Sequence, residues 1–441
     1  MPNHVLIKNR ISYYKKKISV SSDKSLSIRS ILLASQALGV SKISNLLESE
    51  DVLNTLKAIK KLGINYKKIG DKYEISGQGL NGYNLKKDTL INAGNSGTLA
   101  RLLLGLLVKV NQKIKVVGDK SLSKRDFSRV IDPLKLFGVN IKSKKSCLPV
   151  TMQGTNFLRP IEYLENRGSA QCKSAIMLAA LNTPGITKIK AKKSRNHTEI
   201  LFKYLKIPTK VIRKKKYDQI EVVGLNQFKS FSYSVPGDIS SAAFFIVLTI
   251  LSNNSEIIIK KININKSRLG IIKILKRMNA KIKFQNKKIT NGEETADIFV
   301  KSTKKLKSIN CPDTLNSSAI DEFLIIFLVA AKAKGISTFN KLNELNKKES
   351  PRLDVAAKFL KMIGIKTFKT NSSLKIYGNP NLNLKKKYVM KNYFKDHRVF
   401  AMSCIAALVF GGKWKIHDKN SINTSFPNYL KLLKKLGAKI N

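Results

Sequence analysis

The chain has 441 residues, of which 43% are hydrophobic, so it is long enough for two or three domains with cores of their own. Its longest apolar runs, residues 242–251 and 323–331, are shorter than the roughly 18 to 20 residues that span a bilayer. Its four cysteines lack CxxC spacing, and its first ten residues lack the apolar core of a signal peptide. We therefore expect a cytoplasmic protein with reduced thiols, no zinc site and no membrane segment.

The net charge is extreme, because the chain has 83 Lys and Arg residues but only 28 Asp and Glu residues, which gives a formal net charge of +55. Lysines occur in every segment, often beside Ile and Asn, which indicates a bias of the whole chain and not one basic face. No nucleic-acid motif accompanies them, although nucleic-acid binding with a steep salt dependence remains the alternative from another class. The positive field would attract small anionic substrates.

One pattern recurs along the chain: a helical segment ends in Leu-x-x-Leu-Gly or a variant, and a strand, a polar turn and another strand follow. Six copies begin at residues 56, 134, 201, 271, 356 and 429. Gly63 and Gly138 are 75 residues apart, and Gly364 and Gly437 are 73 apart. This spacing predicts helix-bearing α/β modules longer than a solenoid repeat.

The sixth copy ends at Asn441, before its hairpin closes. Residues 5–7 and 18–20 are typical of short strands, and we expect them to supply the missing ones. The prediction is two domains of three modules each, one continuous over residues 22–236 and one built from residues 1–21 and 237–441. A ligand site is then expected in the cleft between them.

Polar residues suited to anions recur at the module boundaries. In residues 92–105, NAGNSGTLARLLLG, small residues run into a helix, whose first amides and dipole favour an anion. An ordinary helix N-cap is the alternative for this stretch. Lys24, Ser25 and Arg29 in SSDKSLSIRS offer an ammonium, a hydroxyl and a guanidinium to carboxylate or phosphate. Similar groups follow at Lys124, Arg125, Ser169, Ala170, Gln171, Arg195, Lys348, Glu349, Arg352, Asp396, His397 and Arg398.

Ten short motifs, in this order, resemble those of the 5-enolpyruvylshikimate-3-phosphate synthase family over nearly the whole chain. They are SDKSLSIR, NAGNSGTLAR, GDKSLSKR, SAQCKSA, SRNHTE, PGDISSAAFF, IDEF, KESPRL, DHR and TSFP. SAQCKSA, SRNHTE and TSFP look more like the bacterial branch that contains glyphosate-tolerant forms than like the plant and enteric branch. The resemblance implies an α/β fold of two domains, each of three βαβαββ units around a pseudo-threefold axis.

The resemblance also implies a reaction without metal or organic cofactor. The 5-hydroxyl of shikimate 3-phosphate adds to C2 of phosphoenolpyruvate while C3 is protonated, and the tetrahedral intermediate then loses phosphate. The implied partners are these two small molecules, without nucleic acid or membrane, and we expect a monomer.

Site residues follow from the resemblance by matching motifs. Shikimate 3-phosphate would be held by Lys24, Ser25, Arg29, Ser169, Ala170, Gln171, Arg195, Asp321 and Lys348. Phosphoenolpyruvate would be held by Lys24, Asn95, Gly97, Arg125, Gln171, Arg352 and Arg398. The implied catalytic residues are Asp321, Glu349 and Lys24. The alternative is structural: Asp321 would cap the helix that follows it, and Glu349 would only pair with Lys348 or Arg352.

Three positions depart from the family pattern. Asp126 follows Arg125 where Pro is usual, Leu102 stands where the plant and enteric branch has Pro, and Thr424 replaces a phosphate-contacting Lys of that branch. No binding residue is therefore assigned in TSFP. The nearest rival is the enolpyruvyl transferase that acts on UDP-N-acetylglucosamine, most of whose members carry a reactive Cys in the loop matching GDKSLSKR, where this chain has none.

Overall fold

The computed structural model describes residues 3–85 and 88–441, which form two compact units. The first unit contains the described part of Ser22–Val235 together with Thr290–Glu293. The second unit contains the described residues up to Ser21, with Pro236–Ile289 and Glu294–Asn441.

The strands are, in chain order, β1 His4–Ile7, β2 Lys15–Ile18, β3 Leu38–Ser44, β4 Asn65–Ile69, β5 Lys72–Gln78, β6 Thr89–Asn92, β7 Ile114–Val117, β8 Asn140–Ser143, β9 Val150–Gln153, β10 Glu162–Glu165, β11 Ile186–Lys192, β12 Thr209–Arg213, β13 Tyr217–Val223, β14 Ser232–Ser234, β15 Glu256–Asn263, β16 Lys281–Thr290, β17 Glu293–Lys301, β18 Gly335–Phe339, β19 Thr367–Lys369, β20 Leu374–Gly378, β21 Leu384–Met390 and β22 Gly411–His417. The α-helices are α1 Lys24–Gln36, α2 Glu50–Lys61, α3 Gly97–Leu106, α4 Ser128–Leu136, α5 Ala170–Leu181, α6 His197–Tyr204, α7 Ile239–Leu251, α8 Gly270–Arg277, α9 Asn316–Ala319, α10 Phe323–Lys332, α11 Arg352–Met362, α12 His397–Phe410 and α13 Tyr429–Lys435.

Five of the six described sheets contain a parallel pair of strands extended by antiparallel strands, and the strand pairs of the β18-β20-β19 sheet are all antiparallel. In the first unit the strand orders are β14-β3-β5-β4, β6-β7-β9-β8 and β10-β11-β13-β12. In the second unit they are β16-β17-β15-β2, β18-β20-β19 and β1-β22-β21. This repetition of βαβ-type units confirms the predicted α/β class.

The N-terminal strands take places that only partly match the prediction. β1 pairs antiparallel with β22 of the last module, and Ile7 also bridges to Ile440. The second strand, predicted at residues 18–20, lies instead at Lys15–Ile18 and pairs parallel with β15 of the fourth module. The assignment of this strand to the last module is wrong because β21 and β1 already occupy both edges of β22.

Each unit is built around three buried helices. These are α1, α3 and α5 in the first unit and α7, α10 and α12 in the second, and nearly every residue along them is inaccessible to solvent. A helix that is buried on all sides belongs to a core, whereas α2 and α8 bury one face only. In the described part of the chain, no helix combines the length and apolar character needed to cross a bilayer.

The outer helix of each module ends in a residue with left-handed backbone conformation. Glycine adopts positive φ without strain, and such a residue commonly follows a helix. A glycine that follows Leu, Phe or Ile supplies it in four modules, and Lys or Asn supplies it in the other two. The residues are Gly63, Gly138, Lys206, Asn279, Gly364 and Gly437.

Candidate active site

In the first unit, the predicted site residues gather where the three buried helices begin. Asp23 precedes α1 and accepts a hydrogen bond from the amide of Leu26, at 2.9 Å. Ser96 and Ser169 cap α3 and α5 in the same way, so the N-cap that was the alternative for residues 92–105 is present. The first amides of a helix and its dipole favour an anion, so a capped start and a ligand site are compatible here.

Arg29 is held by several hydrogen bonds. Its side chain is buried on α1, and its Nε donates to Thr198 Oγ1 at 3.0 Å. One terminal nitrogen donates to Ser174 Oγ at 3.1 Å and the other to the carbonyl of Ser25 at 3.1 Å. These bonds join α1 to α5 and α6, and they fix the direction of the guanidinium.

Gln171, at the start of α5, is bonded to two residues of α3. Its Oε1 accepts from Arg101 at 2.8 Å, and its Nε2 donates to Thr98 Oγ1 at 2.9 Å. Arg101 also donates to the carbonyl of Asp126 at 3.0 Å, and its guanidinium lies 4.5 Å from the ring centroid of Phe127. Because Arg101 is buried, it supports the position of Gln171 from below the surface.

Gly97, the first residue of α3, faces two guanidinium groups. A Cβ added to Gly97 would lie 2.9 Å from NH1 of Arg101 and 2.9 Å from NH1 of Arg125. The neighbouring Asn95 donates through Nδ2 to Asp119 Oδ2 at 2.7 Å. The structure therefore places Gly97 and Arg125, two of the predicted phosphoenolpyruvate residues, side by side at the start of α3.

The remaining predicted residues of the first unit are Lys24, Ser25, Ala170 and Arg195. Lys24 and Ser25 open α1, Ala170 opens α5 after Ser169, and Arg195 is half-buried in the segment before α6. Lys24 Nζ lies 2.8 Å from Asp51 Oδ2, a buried carboxylate of α2 that the sequence analysis did not single out. Asp51 is one residue inside the start of a helix, where acidic residues are common, so its position alone gave no signal.

In the second unit, Arg352 lies at the centre of the predicted residues. It is buried at the start of α11 and donates from Nε to Asp396 Oδ2 at 2.8 Å and from NH2 to Glu349 Oε2 at 2.6 Å. Its NH1 reaches Asp321 Oδ1 at 3.4 Å. Burial alone would lower the pKa of Arg352, but these three carboxylates raise it above its ordinary value, so the guanidinium stays charged.

Asp396 holds Arg352 and also caps α12. Its carboxylate accepts from Ser350 Oγ at 2.8 Å and from the amide of Arg398 at 2.9 Å. Burial would raise the pKa of Asp396, and the charge of Glu349 acts in the same direction. The positive charge of Arg352 outweighs both and lowers that pKa below its ordinary value.

Asp321 is surrounded by cations and does not cap the following helix. Its carboxylate oxygens lie 3.3 Å from Lys348 Nζ, 3.4 Å from Arg352 and 3.8 Å from Arg398. Helix α10 begins at Phe323, and its N-cap residue, Glu322, makes no side-chain cap bond. The capping alternative for Asp321 is therefore wrong, whereas the pairing of Glu349 with Arg352 that the structural alternative foresaw is present.

A buried polar network beside the charged residues around Arg352 was not predicted from the sequence. Arg268 donates to Asp238 Oδ1 at 2.8 Å and to Ser240 Oγ at 2.7 Å, and Ser240 donates to Glu322. Glu322 in turn lies 3.7 Å from Arg398. The capping pattern Asp-Ile-Ser in PGDISS was the available signal, because Asp238 caps α7.

The arrangement suits anions and proton transfer. Each unit places several cations at or near helix starts, and in the second unit two carboxylates, Asp321 and Glu349, contact one guanidinium. Among residues 3–85 and 88–441, no group of three or more His, Cys, Asp or Glu side chains is arranged to hold a metal ion.

Comparisons with known proteins agree along nearly the whole chain. The model of the EPSP synthase family, described as 3-phosphoshikimate 1-carboxyvinyltransferase, matches residues 8–433. The 3-phosphoshikimate 1-carboxyvinyltransferase of Ruthia magnifica subsp. Calyptogena magnifica is 40% identical over 426 residues, covering 96% of each chain. That of Zymomonas mobilis is 38% identical and covers 96% of this chain and 94% of the relative.

Among solved structures, an EPSP synthase from Acinetobacter baumannii superposes with a TM-score of 0.86 at 34% identity, and the match covers 99% of both chains. This likeness confirms the predicted two-domain α/β architecture.

Proposed function

This chain belongs to the EPSP synthase family, and we propose that it transfers the enolpyruvyl group of phosphoenolpyruvate to the 5-hydroxyl of shikimate 3-phosphate. The C–O bond forms between that hydroxyl oxygen and C2 of phosphoenolpyruvate, while C3 gains a proton. The tetrahedral intermediate then loses phosphate and the proton from C3, which restores the double bond. As a 3-phosphoshikimate 1-carboxyvinyltransferase, the enzyme serves the shikimate pathway to chorismate and aromatic amino acids.

The observation that carries the chemistry is that the buried Arg352 contacts both proposed proton-transfer residues. Asp321 and Glu349 each reach its guanidinium, at 3.4 Å and 2.6 Å. We assign removal of the hydroxyl proton to Asp321 and protonation of C3 to Glu349, assisted by Lys24. Two groups in different protonation states are needed for this exchange. Anionic phosphate bound nearby favours the protonated carboxyl that donation to C3 requires.

The substrates are assigned to the cation groups described above. For shikimate 3-phosphate we propose Lys24, Ser25, Arg29, Ser169, Ala170, Gln171, Arg195, Asp321 and Lys348. For phosphoenolpyruvate we propose Lys24, Asn95, Gly97, Arg125, Gln171, Arg352 and Arg398. The preset directions of Arg29 and Gln171 support the first assignment, and the two guanidinium groups beside Gly97, from Arg101 and Arg125, support the second.

Because the proposed residues are divided between the two units, we propose that substrates bring the units closer together. Small-angle scattering with shikimate 3-phosphate and glyphosate is expected to give a smaller radius of gyration than the free enzyme. An unchanged radius contradicts closure.

The finer classification rests on motifs. We propose that the chain belongs to the bacterial branch that contains glyphosate-tolerant forms, because SAQCKSA, SRNHTE and TSFP are typical of it. We also propose a cytoplasmic monomer, which is consistent with four cysteines outside any disulfide. Light scattering after size-exclusion chromatography measures the mass, and a dimer would contradict the monomer.

A comparison of acceptors tests the proposed function. Phosphate release from phosphoenolpyruvate is measured with purified protein and either shikimate 3-phosphate or UDP-N-acetylglucosamine. We expect phosphate release when the acceptor is shikimate 3-phosphate and none when it is UDP-N-acetylglucosamine. Release with the nucleotide sugar alone would assign the chain to the rival transferase, and release with neither would contradict both activities.

A further inference from the structure

A buried hydrogen-bonded pair of side chains outside the assigned residues joins α6 to a hairpin tip. His197 Nδ1 lies 2.6 Å from Glu293 Oε1, and neither side chain is exposed to solvent. His197 is the first residue of α6, and Glu293 follows the turn between β16 and β17. The hairpin tip is Thr290–Glu293, which packs within the first unit.

Further contacts hold the hairpin tip. Asn291 Oδ1 accepts from the amide of Ser234 at 3.0 Å, and its Nδ2 donates to Tyr204 Oη at 2.8 Å. The backbone at Gly292 passes so close to Ile200 that a Cβ there would lie 3.1 Å from its side chain. Asn291 and Gly292 both have positive φ, which is typical of a tight hairpin turn. The tip is thus fixed to α6 at His197, Ile200 and Tyr204.

In the sequence, His197 lies between Arg195, which is proposed to bind shikimate 3-phosphate, and Thr198, which is bonded to the proposed ligand residue Arg29. Arg195 precedes it by two positions, and Thr198, the next residue, accepts from Arg29 Nε and is bonded to Ser174 Oγ at 2.7 Å. A shift in the start of α6 would therefore displace a bond of Arg29 and the backbone that carries Arg195. Small displacements of such groups cost binding and rate.

The pair is costly to bury, which argues for a specific use. A buried carboxylate is retained where a partner satisfies it, and His197 Nε2 has no hydrogen-bond partner among the described residues. The ring is therefore oriented by Glu293 through Nδ1. Second-layer hydrogen bonds of this kind orient the groups that contact a ligand.

We propose that the hairpin tip, through Glu293 and His197, positions Arg195 and the Arg29–Thr198 bond for binding of shikimate 3-phosphate. Glu293 and His197 are positioning residues and touch neither substrate. The inference rests on the proposed function. It predicts that removing the contacts of the hairpin tip weakens the binding of shikimate 3-phosphate much more than the binding of phosphoenolpyruvate.

The test variant is Glu293→Ala, with Glu293→Gln as the conservative variant, since Gln keeps an oxygen acceptor for His197. The matched control is Asp297→Ala on the same hairpin, where the carboxylate accepts from Lys260, from the Lys261 amide and from Asn286, at 2.7 to 2.9 Å. This control weakens the hairpin away from α6. Calorimetric titration with shikimate 3-phosphate and the KM of each substrate are measured for all four proteins.

We expect Glu293→Ala to raise the Kd and KM for shikimate 3-phosphate about tenfold and to change the KM for phosphoenolpyruvate less than about twofold. Glu293→Gln should restore binding to within about threefold of wild type, and Asp297→Ala should bind like wild type. If Glu293→Ala does not fold, Asn291→Gly removes the bonds to Ser234 and Tyr204 while tolerating the positive φ. Asn291→Gly is expected to lose affinity for shikimate 3-phosphate selectively, as Glu293→Ala is.

Unchanged shikimate 3-phosphate binding in the folded variant would overturn the positioning role. An equal loss in Asp297→Ala would also overturn it, because general destabilisation would then explain the effect. Wild-type protein that does not bind shikimate 3-phosphate would instead overturn the proposed function together with this inference.

Discussion

Arg352 and Asp396 form a bidentate pair in which both side chains are buried. Arg352 Nε lies 2.8 Å from one carboxylate oxygen and NH2 lies 3.2 Å from the other. The planar guanidinium matches a carboxylate in this geometry, so its orientation is fixed. Asp396 thereby determines where the remaining donors of Arg352 point, which is toward Asp321 and Glu349.

Replacing Asp396 with Asn should destabilise the protein strongly. The change removes the negative charge that compensates the buried Arg352, and breaking a buried ion pair costs about 3 to 5 kcal/mol. Denaturant unfolding measures the loss. The matched control is Asp354→Asn, whose pair with Lys369 is partly exposed, and there we expect a change within about 0.5 kcal/mol. Equal effects at both positions would contradict the importance of burial at Asp396.

The same pair predicts a loss of stability in acid. The folded pKa of Asp396 lies below its ordinary value of 3.8, so the unfolded chain takes up the proton first as the pH falls. The stabilisation that the ionised Asp396 gives the folded state is complete above its ordinary pKa of 3.8. It is lost as the pH falls toward the pKa of Asp396 in the folded protein. The difference in unfolding free energy between wild type and Asp396→Asn should therefore be constant from about pH 7 to pH 5 and shrink toward about pH 3. A difference independent of pH would exclude this linkage.

Glyphosate should inhibit the wild-type enzyme in competition with phosphoenolpyruvate, because Gly97 leaves room in the proposed slot. In Gly97→Ala, the new methyl group would press on NH1 of Arg101 and of Arg125, each 2.9 Å from the added Cβ. We expect the inhibition constant for glyphosate to rise more than the KM for phosphoenolpyruvate, since the inhibitor is longer. Steady-state kinetics with both variants measures this ratio. Tolerance already present in wild type would show that Gly97 does not decide sensitivity.

Asp321 and Glu349 should differ in how their loss affects binding. Asp321→Ala and Glu349→Gln are each expected to lower kcat by about 100-fold or more. Shikimate 3-phosphate binding should stay near wild type in Glu349→Gln but weaken in Asp321→Ala, because Asp321 is proposed to accept the hydrogen bond of the 5-hydroxyl. Rapid-quench kinetics and calorimetric titration measure the two effects.

The control for these variants is Glu344→Gln, a half-exposed carboxylate that pairs with Lys347 in the segment before Lys348. It should turn over like wild type. An Asp321→Ala or Glu349→Gln enzyme within a few-fold of wild type would return that residue to a structural role.

Local sequence features were sufficient to predict the modules and the positions of the candidate residues. The Leu-Gly pattern follows from the left-handed residue that ends each outer helix, and four glycines made it visible. Small and polar residues before Gly97 indicated a helix start, and α3 begins there. These features depend on a few neighbouring residues, so they can be recognised in one sequence.

Contacts between distant parts of the chain were not predictable in this way. Arg101 and Gln171 are bonded across 70 positions, and Arg352 and Asp396 across 44, so their pairing depends on how the buried helices pack. The misplaced β2 has the same cause, because the choice of an edge is made by the topology of the sheets and not by the strand itself.

The most direct test of the central claim is ³¹P NMR of the purified protein with shikimate 3-phosphate and phosphoenolpyruvate. We predict that the phosphoenolpyruvate resonance is replaced by inorganic phosphate and that an enolpyruvyl shikimate 3-phosphate appears in equal amount. The product should be missing when either substrate is omitted. A phosphoenolpyruvate resonance that persists with both substrates present, or phosphate release without the new ester, would contradict the proposed function.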